Sequence, residues 1–250
     1  MERRRMFGEH PRMASREKMK ISIITPTYNE TETLPRFIES LMEALSEDHE
    51  YEVIIVDDNS PDGTGALAER LAEKYGCIKV IHRPGKLGLG TAYKEGFKHT
   101  SGDLIVSIDA DLSHDPKDIP RLLEAVKEAD IAIGSRLIKG GRIEGRSRWR
   151  DLMSITANGF IRLLAGQPIR DWTSGLRVYR REALEAILPK VACKKWDYQF
   201  EVLYKALKSK YRAREVPITF RERAGGRSKF DIKEALTFMK SIIQVYLNLK

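Results

Sequence analysis

The chain has 250 residues, 42% of them hydrophobic and 32% charged, with a formal net charge of +8. That length suits one sizeable α/β domain rather than two, and a pair of cysteines, Cys77 and Cys193, excludes a disulfide-built scaffold and reads as two reduced thiols. A basic balance suits an anionic partner such as a membrane surface or a phosphate-rich substrate; without a recognised nucleic-acid-binding signature, nucleic acid is not an expected partner.

Residues 1–19 are basic, contain Pro11 and lack apolar periodicity, so they are expected to form a disordered arm rather than a signal segment. The apolar, β-branched run 21–25 reads as a buried strand, and Leu34, Phe37, Ile38, Leu41 and Leu45 give helical spacing over 32–47. A second strand at 51–56 closes in the turn-forming residues Asp57 to Gly63. A helix at about 65–74, a strand at 78–82, a helix at 90–99 and a strand at 103–108 follow. A helix at 117–128 then leads to a strand at 130–134. This alternation predicts an α/β fold with a mainly parallel sheet and helices on both faces, in a single domain over 20–230. Beyond it are expected a helix at 150–165, a short strand at 176–180, a helix at 198–209 and a strand at 214–220. The last helix, at 232–249, is expected to be amphipathic, with Thr237, Lys240, Ser241, Gln244 and Asn248 as its polar stripe within the segment 231–250.

In parallel sheets, ligands bind beyond the carboxyl ends of the strands. Here those ends carry Pro26 to Glu30, then Asp57-Asp58, then Asp109-Ala110-Asp111. Residues i and i+2 of an extended chain point the same way, so Asp109 and Asp111 can reach one cation. Hard oxygen ligands suit Mg²⁺ or Mn²⁺ with open positions for substrate phosphates.

The runs 22–30 (SIITPTYNE), 56–64 (VDDNSPDGT) and 109–114 (DADLSH) resemble the family 2 glycosyltransferases of the GT-A fold. Within that family they are most similar to the dolichyl-phosphate (polyprenyl-phosphate) mannose synthases, as are 133–136 (IGSR), 173–177 (TSGLR) and 226–229 (GRSK). The resemblance implies inverting transfer of mannose from GDP-mannose to a polyprenyl phosphate. It implies a nucleoside site at Pro26, Tyr28, Glu30, Val56 and Asp58, with Asp57 as the alternative acidic contact. Asp109, Ala110 and Asp111 would hold the metal and diphosphate, with Ser113 where one branch places a metal-binding glutamine. Arg136, Arg150, Arg223 and Lys229 would meet phosphate charge, Arg136 and Arg150 on the acceptor side. Asp109, Asp111 and Arg136 are the catalytic candidates.

A general base is not evident from the sequence; Asp197 and Glu201 are candidates should the acceptor be a hydroxyl. A phosphomonoester needs none, because it is already anionic at neutral pH. The run 167–172 (QPIRDW) fails the Q-x-x-R-W pattern of processive synthases. Two further readings remain: a UDP-sugar-dependent glucosyltransferase acting on the same lipid, and an inactive sugar-nucleotide-binding subunit of a membrane complex. The helices at 150–165 and 232–249 suit a peripheral position on the cytoplasmic face of a membrane, or docking on a small membrane-anchoring partner.

Overall fold

The computed structural model describes residues 18–223 and 232–247. Its strands and helices follow the predicted alternation: β1 (Lys20–Thr27), α1 (Leu34–Ala44), β2 (Glu50–Asp57), α2 (Thr64–Tyr75), β3 (Ile78–His82), α3 (Leu89–Lys98), β4 (Leu104–Ser107), α4 (Ile119–Ala125) and β5 (Ile131–Ser135). The second half contains β6 (Arg142–Glu144), α5 (Arg148–Ala165), β7 (Arg177–Arg180), α6 (Arg181–Ile187), α7 (Tyr198–Lys208), β8 (Ala213–Pro217), β9 (Thr219–Arg221) and α8 (Ile232–Leu247).

The main sheet has seven strands in the order β3-β2-β1-β4-β7-β5-β8. It is parallel except for β7, which runs antiparallel to both β4 and β5. Central strands are buried on both faces, which is why they read as continuous apolar runs. Successive residues serve opposite layers. Ile21 and Ile23 of β1 and Val53 and Ile55 of β2 pack with Phe37, Ile38 and Leu41 of α1. Ile24, Ile54 and Val56 pack with Tyr93 of α3, Trp172, and Phe200 and Tyr204 of α7.

Three expectations change. The arm expected through residue 19 ends earlier on its inner side: Met19 is buried in the core, and its carbonyl accepts from the Glu50 N–H at 2.9 Å. The rest of the arm, 1–17, lies outside the described residues. The strand expected over 214–220 divides at Ile218: β8 pairs with β5, and β9 leaves to pair in parallel with β6 in a two-stranded sheet. Helix α6, not anticipated, follows directly on β7. Of the polar stripe expected on α8, Thr237, Lys240 and Gln244 are exposed, Ser241 is half-buried and Asn248 lies outside the described residues. Ser241 donates to Asp197 and Ile243 and Leu247 are exposed, while Ile242 and Val245 face the core.

Candidate active site

Strands β2, β1 and β4 lie side by side, so their carboxyl ends share one edge. Each is followed by a turn containing a residue in the left-handed region: Asn29 (φ 60°), Asn59 (φ 54°) and Leu112 (φ 61°). Asparagine tolerates this backbone; a leucine there costs about 1–2 kcal/mol. That strain lies directly after Asp111. It reverses the chain so that the Ser113 N–H donates to Asp111 Oδ1 at 3.0 Å. β4 stops at Ser107, so Asp109 and Asp111 lie just beyond the end of the strand.

Asp109 Oδ1 accepts from the Tyr93 hydroxyl at 3.0 Å. Burial, and then the charge of Asp111, push the Asp109 carboxyl up to about 7. Gly175 backs this carboxylate: a Cβ there would fall 2.8 Å from Asp109 Oδ2, so a larger residue would displace it. The Ser107 hydroxyl donates to the Gly175 carbonyl at 2.9 Å and holds that backbone in place. Asp111 Oδ2 lies 2.9 Å from Arg223 Nη2. Glu30 closes the same centre; burial raises its carboxyl, the Thr33 hydroxyl opposes that, and the charge of Asp111 adds to it. Ser113 reaches Asp111 through its backbone, while its hydroxyl lies 3.4 Å from His114 Nδ1. His114 stays neutral: burial, and then the Arg136 charge, lower it to about 4.

On the nucleoside side, Pro26 and Val56 are register partners across β1 and β2. Val56 and Ala110 are buried in the core. Asp57 is already engaged: Oδ1 accepts from the Thr27 and Ser60 hydroxyls at 3.1 and 2.6 Å, and Oδ2 from the Ser60 N–H at 3.0 Å. Asp58 Oδ1 lies 3.0 Å from Nη1 of the buried Arg83. Tyr28 is half-buried, with the Lys86 ammonium 4.1 Å from its ring centroid.

The basic rim is less uniform than expected. Arg136 is buried against Asp171: Nε donates to Oδ2 at 2.7 Å and Nη2 to Oδ1 at 2.6 Å. Nη2 also donates to Thr173 Oγ1 at 2.8 Å. Burial alone would raise the Asp171 carboxyl, but the Arg136 charge and its hydrogen bonds hold it below the ordinary range. Arg150 Nη1 lies 2.7 Å from Glu222 Oε1 at the surface. Lys229 falls outside the described residues. Sequence reasoning missed Tyr93, Asp171 and Gly175 as neighbours of the site. Asp171 and Gly175 stood within motifs already singled out, but only the antiparallel return of β7 brings that segment to β4. The two candidate bases are occupied. Glu201 Oε2 accepts from the Ala192 and Cys193 N–H groups at 2.9 and 2.6 Å, and its Oε1 pairs with Lys205 at 2.7 Å. Asp197 accepts from the Lys195 N–H at 3.2 Å and from the Ser241 hydroxyl.

A strand-end carboxylate pair on a sheet of this order, rimmed by arginines, defines a glycosyltransferase of the GT-A type. The chain belongs to the family described as glycosyl transferase family 2, whose model matches residues 22–188. It is 42% identical over 244 residues to the polyprenol monophosphomannose synthase of Mycolicibacterium smegmatis, covering 94% of this chain and 91% of that one. It is 40% identical over 215 residues to the undecaprenyl-phosphate mannosyltransferase of Micrococcus luteus, covering 84% and 87%. Among solved structures, glucosyl-3-phosphoglycerate synthase from Mycobacterium tuberculosis with Mn²⁺ and UDP-glucose shares the fold. Its TM-score is 0.68 at 20% identity, covering 92% of this chain and 78% of that one.

Proposed function

We propose that this enzyme transfers mannose from GDP-mannose to a polyprenyl (dolichyl-type) phosphate, with inversion at the anomeric carbon. The observation that carries this reading is the meeting of Asp109, Asp111 and Arg223 at the edge of β4. The names of the two relatives supply the sugar and the lipid class. Pro26, Tyr28, Glu30, Val56 and Asp58 hold the nucleoside; Asp57 organises their turn. Asp109, Ala110, Asp111, Arg223 and Lys229 meet the diphosphate. Arg136 and Arg150 meet the acceptor phosphate, Arg136 from a position fixed by Asp171.

The donor set fits a hard divalent cation. Two adjacent carboxylates, one driven toward protonation by burial and by its neighbour's charge, gain from a cation between them. Asp109 and Asp111 would hold Mg²⁺ or Mn²⁺; Ser113 orients Asp111 through its N–H. Mn²⁺ accompanies UDP-glucose in the structural neighbour. When bound, the ion neutralises the diphosphate and stabilises it as a leaving group. With Glu201 and Asp197 engaged elsewhere, a phosphate acceptor that needs no deprotonation matches this site best.

The acceptor's lipid requires contact with a bilayer, and no helix among the described residues is long and apolar enough to cross one. Helix α5 turns Trp149, Leu152, Ile155 and Leu163 to solvent beside the exposed Arg148 and Arg162. That face suits peripheral attachment at the cytoplasmic surface, alone or on a small membrane-anchoring partner. The functional test supplies polyprenyl phosphate or polyprenol with GDP-mannose or UDP-glucose, in Mg²⁺ or Mn²⁺. Product is expected from GDP-mannose with the phosphate alone; turnover of UDP-glucose overturns the mannose assignment, and transfer to polyprenol overturns the base-free mechanism.

A further inference from the structure

The segment joining β3 to α3 is pinned at both ends. At its start, the buried Arg83 lies 3.0 Å from Asp58 and donates to Thr91 Oγ1 at 2.7 Å, while its N–H donates to the Asp57 carbonyl at 2.8 Å. At its end, Gly88 has φ +104°, and a Cβ there would fall 2.4 Å from the Lys194 carbonyl, which also accepts from the Gly90 N–H at 2.9 Å. Between these anchors Lys86 is exposed, yet its ammonium folds back over the Tyr28 ring, 4.1 Å from the centroid. The same ammonium is close enough to Asp58 to favour its charged form, after burial and the larger influence of Arg83. It therefore stands at an aromatic face and within the electrostatic reach of a carboxylate, the two features by which a base carrying ring N–H groups would be recognised.

We infer that Lys86 fills the nucleoside slot of the ligand-free enzyme and is displaced when the base stacks on Tyr28. The inference rests on the proposed reading of Tyr28 and Asp58 as nucleoside contacts. A cation on a half-buried ring is a weak placeholder, so it lowers the fraction of enzyme open to the base without blocking it. Apparent affinity falls by that fraction, and a contact of this kind is worth about two- to fivefold.

The test measures GDP binding with Mg²⁺ by calorimetry and stopped flow, with UDP in a parallel series. Lys86→Met is expected to tighten binding about two- to fivefold, through faster association with dissociation unchanged. In a Tyr28→Leu background the same substitution should have a smaller effect, because the ring that held the cation is gone while the attraction of Asp58 remains. Lys86→Gln repeats the measurement with a polar side chain, and thermal melts check that each variant folds as the parent does. Unchanged or weaker binding in both Lys86 variants overturns the placeholder. If Tyr28→Leu alone leaves affinity for both nucleotides unaltered, the nucleoside reading beneath it fails instead.

Discussion

On the proposed donor side of the site, Asp57, Asp109 and Asp111 are each held by neighbours through hydrogen bonds at the strand ends. On the proposed acceptor side, Arg150 rests in a partly exposed ion pair with Glu222. The first kind of contact fixes a group before substrate arrives. The second exchanges at little cost, since exposed pairs contribute about 0–1 kcal/mol. A donor bound in one geometry and an acceptor delivered from a lipid surface call for those two different constructions. Arg136 crosses the division: it belongs to the acceptor group by sequence, yet Asp171 fixes it as firmly as any donor-side residue.

The largest effect should come at that crossing point. Asp171→Ala leaves Arg136 buried without its partner, which costs about 3–5 kcal/mol of stability, read as a fall in chemical-denaturation midpoint. Its pH dependence has a definite sign. The Asp171 carboxyl lies below the ordinary range in the folded chain, so its contribution is complete above the unfolded value of about 3.9. It is lost as pH falls through the folded value. The stability gap between the parent and Asp171→Asn should therefore be constant near neutrality and close on acidification below about pH 4. A gap that instead opens on acidification would show that Arg136 is not the group holding Asp171 charged.

Next in size is the donor centre. Asp109→Asn should lower transfer on the order of a hundred- to a thousandfold with secondary structure intact. The same variant, in chelator at about pH 8, should melt higher than the parent, because it removes one of two crowded negative charges whose cost grows as pH rises above the unfolded value of about 3.9 and is complete above about 7. Retained turnover would remove the carboxylate pair from the mechanism. An unchanged melting temperature would mean that Asp111 and burial do not strain Asp109.

The same contrast governs what was legible in the sequence. The strand-end turns are legible because each strand carries its polar residues a few positions downstream, so linear order and spatial order agree. Asp109 and Asp111 lie just beyond the end of β4, and the turn at Leu112 then brings the Ser113 N–H to Asp111. The partners of the acceptor-side candidates Arg136 and Arg150 are hidden because they come from segments far away in the chain. Arg142 pairs in register with Thr219, and Arg150 meets Glu222, through a two-stranded sheet too short to leave a periodic signal. Asp171 was invisible for a related reason: a lone aspartate in a proline-containing loop gives no hint that an arginine will be buried against it.

A smaller effect is expected from the exchangeable pairs. Arg150→Ala removes a partly exposed ion pair with Glu222, so stability should change by less than about 1 kcal/mol. If the guanidinium meets the acceptor phosphate, KM for polyprenyl phosphate should rise roughly tenfold while KM for the sugar nucleotide holds, since one charged hydrogen bond is worth about 1.5–3 kcal/mol before solvent competition. Equal changes in both constants would place Arg150 with the donor and erase the distinction drawn between the two sides.

The smallest effect on stability should come from the outer face of α5, where the comparison can be sharpened within one helix. Ile161 is fully buried in the core, whereas Leu163, two residues on, is 80% exposed. Ile161→Ser should cost several kcal/mol, because it both opens a cavity and buries a hydroxyl. Leu163→Ser should lie within about 0.5 kcal/mol of the parent, since almost none of its surface leaves water on folding. An apolar side chain that contributes nothing to the fold is an expense in water unless something covers it at work. Leu163→Ser should therefore weaken co-sedimentation with anionic vesicles at low salt and slow transfer to long-chain, vesicle-borne polyprenyl phosphate. Transfer to a short, water-soluble analogue should be unaffected. Loss with both acceptors would place Leu163 in the catalytic fold rather than at the surface, and loss with neither would leave α5 without a role in reaching the lipid.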